Sequence, residues 1–437
     1  MPRFRAGANL VRADVYVSKD GQAVTDLKAE DFVVYEDDKP QNVESFELIQ
    51  ARGPNPPSER TDPTNLRDMR HAMEDSARVF TLFFDRMHVQ LAGSYHARQP
   101  VIETLNKVIG PDDLVGAMTP DMAPTQVTYS RRTGTIESFL TQTWHWGERM
   151  RVPTIQNTDP AIRGCLWAID DTVTRRKYNE QQTLQALTSL VDYLDGLRPE
   201  RKFVMVFTEG WPLYPPDTSM GSSAPPPPEG PGVDPRTGAL RKPQATDPGT
   251  GFRSDGDCDR IQSMLAAQDH RREFQTLLQR ANRANVSFYP IDTRGLIVCD
   301  NPDCGSLASD SARLNERRNS LYDMASQTDG QAVLDAGDVS KTMQRVFADV
   351  GSYYLLGYYS TNQRLDGRFR RIRVEVKRKD TDVRSRPGYL APTEAEVRAA
   401  GHPFRLLERG GIELHNRADR AGTAGGLDAD RHVAASR

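Results

Sequence analysis

Several absences narrow the class of this chain before any motif is read. No apolar run approaches the roughly 20 residues of a bilayer-spanning helix, so no membrane span is expected. Neither sign of charge dominates. The 57 basic and 60 acidic residues leave a net of −3, which supplies no pull toward nucleic acid or an anionic membrane. No nucleophile elbow, P-loop or HExxH motif occurs, so the chain is not expected to be an enzyme. The amino terminus, Met1-Pro2-Arg3-Phe4-Arg5, lacks the apolar stretch of a secretory signal. Cysteine is scarce, and only Cys299 and Cys304 lie close together. That pair fits a small disulfide-closed loop, two free thiols, or half of a zinc site completed by Cys165, Cys258 or histidines, and no four-ligand zinc spacing is present.

What is present centres on the run Val79-Phe80-Thr81-Leu82-Phe83-Phe84, which ends in Asp85-Arg86-Met87-His88. A continuous apolar run reads as a strand buried on both faces, and such strands belong to parallel sheets covered by helices. Ligands of such sheets bind at the carboxyl ends of the strands. A second run of this kind, 203–207, ends in Thr208-Glu209-Gly210, and a third, 286–291, ends in Asp292. Between and after them the pattern predicts helices over 101–109, 180–197, 260–284, 319–327 and 339–350, the last capped by Asp338. Short strands are predicted at 114–118, 126–129 and 332–334, and a short helix at 165–172.

The flanks read differently. Residues 1–50 hold alternating strands at 11–17, 32–35 and 43–48 separated by turns, and residues 351–392 hold three more at 353–359, 369–376 and 383–389. Three strands cannot bury both faces alone, so the two flanks are expected to form one β-sandwich. Residues 51–75, with Pro54, Pro56, Pro57 and Pro63, read as a linker. Residues 76–350 form the α/β domain, interrupted by a disordered Pro/Gly-rich insertion at 212–257, and 393–437 is a polar tail.

Strand ends at Asp85 and Thr208-Glu209-Gly210, with this alternation, resemble a von Willebrand factor type A (VWA) domain. The flanking Val34-Tyr35-Glu36-Asp37, Tyr289-Pro290-Ile291-Asp292-Thr293-Arg294-Gly295, Tyr353-Tyr354-Leu355-Leu356-Gly357-Tyr358-Tyr359 and Arg386-Pro387-Gly388-Tyr389 resemble the VWA-related proteins of acidobacterial type. The resemblance implies a doubly wound, Rossmann-like sheet with helices on both faces. It also implies a non-enzymatic role in binding an unidentified protein or surface ligand, with a metal-independent structural scaffold as the alternative. It further implies a secretory signal. Together with the cysteine pair, this gives the expectation of an exported protein, periplasmic or extracellular, whose start lies upstream of Met1.

VWA domains commonly hold Mg²⁺ in an adhesion site built from an Asp-x-Ser-x-Ser motif, a threonine and a later aspartate. Asp85 matches the first aspartate, but the serine positions hold Met87 and Val89, and Glu209 stands for the later aspartate. Two readings of these carboxylates stand side by side: a degenerate site for Mg²⁺ or another divalent cation held by Asp85, Glu209 and Asp292, with His88 assisting, or carboxylates that cap loops or pair with Arg86 or Arg294 and hold no metal. His88 and Trp211 are the candidate partner-binding residues; Trp144, His145, Trp146 and Trp211, aromatics in polar surroundings, either anchor a partner or cover a core edge, the commoner fate of loop tryptophans. A hydrolytic enzyme using Asp85, His88 and Glu209 is the remaining reading.

Overall fold

The computed structural model describes residues 10–20, 22–65, 67–68, 72, 78–142, 172–198, 200–217, 232–233, 240–241, 263–294, 307–332, 334, 338–386 and 388–399. In chain order the elements are β1 (Leu10–Lys19), β2 (Gln22–Ala23), β3 (Phe32–Glu36), β4 (Lys39–Gln41), β5 (Val43–Gln50), β6 (Val79–Phe84), α1 (Leu91–Val108), β7 (Leu114–Met118) and α2 (Gly134–Gln142). Then come α3 (Thr172–Leu197), β8 (Lys202–Thr208), β9 (Gly232–Val233), β10 (Leu240–Arg241), α4 (His270–Arg283), β11 (Val286–Asp292), α5 (Leu307–Gln327) and α6 (Val339–Asp349). The last are β12 (Ser352–Tyr359), β13 (Phe369–Val376), β14 (Asp382–Ser385), β15 (Gly388–Leu390) and α7 (Glu394–Ala399). The chain is thus mixed α/β, with one parallel sheet and several antiparallel ones.

The parallel sheet has the order β11-β8-β6-β7. Every residue of β6, β8 and β11 is buried, which explains why these strands are apolar without alternation. Successive side chains serve opposite faces. Val79, Phe83, Val204, Val206 and Phe288 pack with Leu187 and Leu194 of α3, Phe274 and Leu277 of α4 and Leu321 of α5. Phe80, Leu82, Phe84, Phe203, Met205 and Phe207 pack with Val101 and Leu105 of α1 and Met343 and Phe347 of α6. Full burial of one such Phe or Leu contributes about 2 kcal/mol, so the two layers dominate cohesion here. From β6 the chain adds β7 on one side and later β8 and β11 on the other. The winding therefore reverses between β6 and β8, and the residues just after these two strands lie side by side.

The remaining strands build two antiparallel sheets, ordered β14-β1-β12-β5 (with β2 beside β1) and β15-β13-β3-β4. Alternate residues Val11, Ala13, Val15 and Val17 of β1 share one core with Tyr354, Leu356 and Tyr358 of β12 and with Val34, Ile372 and Val374 of the second sheet. Strands from the two ends of the chain thus bury each other, as their alternation requires. Glu36 lies in this core, 2% exposed. It accepts hydrogen bonds from Tyr358 Oη at 3.0 Å, Tyr389 Oη at 3.0 Å and Ser360 Oγ at 2.5 Å. Burial, with the charge of Glu36, pushes both phenols up in pKa and keeps them donors. Three of the motifs quoted above meet at this one carboxylate.

A buried ionic layer joins the first antiparallel sheet to the base of the parallel one. Arg201, just before β8, pairs with Asp329, donates to Ser287 Oγ at 2.9 Å and lies 4.8 Å from the Tyr16 ring centre. Arg384 of β14 pairs with Asp349 at the end of α6 and lies over the same ring at 5.4 Å.

The structure departs from the sequence reading in particular places. The segment 383–389 is two strands in two sheets, β14 ending at Ser385 in one and β15 beginning at Gly388 in the other. Residues 126–129 form no strand; a 3-10 turn at Pro124–Gln126 precedes a lone bridge between Ser130 and Val115. The helix predicted over 260–284 is broken at Gln268-Asp269, where the Asp269 side chain caps α4 by accepting from Arg272 N. Helix α5 starts at Leu307, not 319, and α1 carries Pro100 in its interior. The linker is docked: Arg60, 1% exposed, donates to the carbonyls of Asn55, Asn106 and Ile109. Within the insertion read as disordered, Val233 and Leu240 pair antiparallel, and residues 212–217 are placed. Cys165, Cys258, Cys299, Cys304, Trp144, His145, Trp146 and the short helix at 165–171 lie outside the described residues.

Two outcomes test this packing. Glu36→Ala leaves three buried hydroxyls without their acceptor and lowers unfolding stability by about 3 kcal/mol in urea. Lys202, 1% exposed, donates to Arg198 O at 2.7 Å, and burial pushes its amine down to about 7. The unfolded chain then binds more protons than the folded one from about pH 7 to about pH 10.4, so stability rises with pH across that window. Lys202→Met removes this rise, which the difference between wild-type and variant urea midpoints at pH 7 and pH 9 measures.

Candidate functional site

The site is the crest where β6 and β8 end. Asp85 N donates to Phe207 O at 3.0 Å, so the parallel ladder continues one residue past β6 and fixes the Asp85 backbone. The chain then turns tightly, with His88 N donating to Asp85 O at 3.2 Å. This turn folds the His88 ring back onto the carboxylate of Asp85, which is fully buried.

Each Asp85 oxygen takes two contacts. Oδ1 lies 2.9 Å from His88 Nδ1 and accepts from Thr183 Oγ1 at 3.2 Å. Oδ2 accepts from Thr208 Oγ1 at 2.8 Å and from the Trp211 indole Nε1 at 2.9 Å. Burial acts to raise the pKa of Asp85, but the charge of His88 and the hydrogen bonds from His88, Thr208 and Trp211 outweigh it and hold the carboxyl below its ordinary value. Since an ionised carboxylate only accepts, the His88 Nδ1 carries a proton. Its ring meets Trp211 edge-on, with centres 6.4 Å apart.

Glu209, the next residue of the crest, is committed elsewhere. Its Oε1 accepts from Gln90 N at 2.7 Å. Gln90 is the N-cap of α1 and offers no side-chain cap, so Glu209 supplies the acceptor and a negative charge at the positive end of the helix. Gly93, in the first turn of α1, allows this approach. A Cβ there would stand 2.9 Å from Thr293 Oγ1 and 3.0 Å from Glu209 Oε1. Asp292 is held in a fork by Arg294, which donates from N at 3.0 Å and Nε at 2.9 Å to Oδ1 and from Nη2 at 2.7 Å to Oδ2.

The loop that carries Trp211 is strapped from two helices. Gly210 turns at φ +82°, against the backbone of Arg317 of α5, and Arg317 Nη1 donates to Gly210 O at 2.7 Å. Trp211 N donates to Ser320 Oγ at 3.0 Å. From α3, the buried Glu180 accepts from Leu213 N at 3.2 Å and Tyr214 N at 2.9 Å, and also meets His270 Nδ1 at 2.8 Å.

Of the sequence-predicted residues, Asp85, His88 and Trp211 come together in one network. Glu209 is next along the chain from Thr208 but turns to α1, and Asp292 turns to Arg294. Trp211 is fully buried with its N–H on Asp85, and His88 is 5% exposed. The aromatic expected as a surface anchor for a partner is therefore an internal donor. Two contributors were missed, Thr183 and Thr208. Thr208 belongs to the strand end already singled out. Thr183 had a usable signal: with Glu180 it continues the apolar stripe of Leu184, Leu187, Leu190 and Leu194, and polar residues at core positions of a helix need buried partners.

The Mg²⁺ implied by the resemblance does not fit these residues. A hard cation needs several oxygens. Asp85 already has four contacts on its two oxygens, and Met87 and Val89 bring no oxygen from their side chains. Among the described residues no three His, Cys, Asp or Glu are grouped to hold a metal ion. As for the acid-base grouping of Asp85, His88 and Glu209, the structure pairs Asp85 with His88 while Glu209 accepts from Gln90 N, and the Thr183 hydroxyl lies 3.4 Å from His88 Nδ1.

Asp85→Asn places an amide among four donors and lowers stability at pH 7 by roughly 3–5 kcal/mol. Because the folded pKa of Asp85 lies below its unfolded value, its contribution is full above about pH 4 and is lost as pH falls through the folded pKa. The gap between wild type and variant therefore narrows on acidification, as urea midpoints at pH 7 and pH 3 will report. Trp211→Phe removes one hydrogen bond to a charged group and costs about 2 kcal/mol in the same measurement. Compared with family models, curated proteins and solved structures, the chain matches none.

Proposed function

We propose that this chain is a non-enzymatic, VWA-related interaction protein whose crest works without a divalent cation. In this reading the parallel sheet is the doubly wound, Rossmann-like VWA sheet, and the two antiparallel sheets are a β-sandwich completed by both ends of the chain. The strand order β11-β8-β6-β7, with apolar layers on both faces, supports the first part. The shared core of the two antiparallel sheets supports the second.

The observation that carries cation independence is the filled coordination of Asp85. His88, Thr183, Thr208 and Trp211 occupy the positions around a carboxylate that a metal and its waters would otherwise take. The protein's own donors neutralise the buried charge. Beside this crest, α1 leaves Leu91 at 37% and Tyr95 at 59% exposure, four residues apart on one face. An exposed aliphatic and aromatic pair next to a rigid crest favours a protein or surface ligand over a scaffold without a binding face.

Differential scanning calorimetry with Mg²⁺ or Mn²⁺ tests the proposal. The transition temperature of the wild type is expected to stay the same with either ion. An upward shift that Asp85→Ala abolishes would return the crest to the metal-dependent class.

A further inference from the structure

The backbone edges of the sheets are unequal. On the parallel sheet, the β7 edge is met by the bridge between Val115 and Ser130. The β11 edge is closed by residues 328–330: Phe288 N donates to Thr328 Oγ1 at 3.1 Å, and Gly330 lies so close to Phe288 O that a Cβ would collide. On the antiparallel sheets, β4 has three residues including Pro40, β15 has three and β14 has four. Short, proline-bearing or covered edges are the usual protections against strand addition.

Among the described residues, strand β5 is neither short nor proline-bearing, and no hydrogen-bonded neighbour covers its outer edge. It is eight residues long and pairs with β12 on one side only. Its other side has no hydrogen-bonded neighbour among the described residues. It contains no proline, lysine or arginine, and its only charges are Glu44 and Glu47. The register irregularity lies at its start, opposite Gly357 and Tyr358, so residues 45–50 run straight. Phe46 and Leu48 pack toward the shared core.

We infer that β5 is a self-pairing edge, through which two copies of this chain join antiparallel into one continuous sheet. The inference is independent of the crest. The register follows from three constraints. Core-facing residues must oppose core-facing residues, because a one-residue slip exchanges the faces. Pairing centred on Glu47 would set two carboxylates opposite each other, which is destabilising. Pairing centred on Phe46 would run into the irregular end. Of the centres that meet all three, Leu48 gives the longest pairing within β5: Leu48 opposes Leu48 of the second copy, Phe46 opposes Gln50, and Glu47 opposes Ile49. No carboxylate faces another.

Sedimentation velocity on the full chain over a wide concentration range is the test. The wild type is expected to show a monomer–dimer equilibrium. Ile49→Glu and Ile49→Lys remove the same side chain, but the first sets two like-charge pairs across the interface and the second two opposite-charge pairs. Their dimer dissociation constants are expected to differ by about tenfold or more, with the Lys variant tighter. Circular dichroism of both variants checks that the monomer folds. A wild type that stays monomeric overturns the inference. So does a dimer that both variants leave equally tight, which places the contact elsewhere. A monomer that instead takes up an extended peptide along β5 assigns the edge to another protein and overturns self-pairing.

Discussion

A buried carboxylate left without hydrogen-bond partners is costly to a fold. The crest of this protein follows from that constraint at Asp85. The four groups that answer it come from four places: the turn after β6, the middle of α3, the last residue of β8 and the loop beyond it. Satisfying one charge therefore fixes the relative positions of two strands, a helix and a loop. Glu180 applies the same logic one turn earlier on α3, where it takes two loop amides and meets His270. Helix α3 is amphipathic in the ordinary sense along most of its length, and at its amino-terminal part the apolar stripe gives way to polar groups that hold the loop.

Glu36 repeats the principle in the antiparallel part with different chemistry. Its partners are hydroxyls, and they come from β12, the residue that follows it and β15. Asp85 is met by an imidazole, an indole and two threonine hydroxyls. Such matched sets specify one arrangement of the elements around them, because any slip leaves an orphaned charge.

The parts of the fold that were legible in the sequence are those set by periodicity. The continuous apolar runs of β6, β8 and β11, and the alternation of β1 and β13, follow from whether one or both faces are covered. The break at Gln268-Asp269 and the division of 383–389 between β14 and β15 were not legible, because both depend on contacts between distant elements. The candidate site was legible in place but not in use. Asp85, His88, Glu209 and Asp292 do stand at strand ends, yet their roles depend on which donors face them. Thr183 lies 98 residues from Asp85, Gln90 lies 119 from Glu209, and no local pattern links either pair. Sequence alone left Trp211 open between an anchor for a partner and a cover for a core edge; its neighbours in space are Asp85, Phe274 and Ser320.

The pairing of β1 with β12 carries a consequence for how the chain comes to be folded. Leu10 lies opposite Tyr359, so β1 cannot pair along this edge until β12, much later in the chain, has been synthesised. Until then Val11, Val15 and Val17 have no core to enter. The α/β body can form in the interval, since its strands pair only with each other. Loop closure for the outer sheets is then achieved by a folded body that already brings residues 78 and 350 near one base, with Arg201 waiting to meet Asp14 and Tyr16. Contact order alone favours assembly of the α/β body before the long-range β1–β12 pairing.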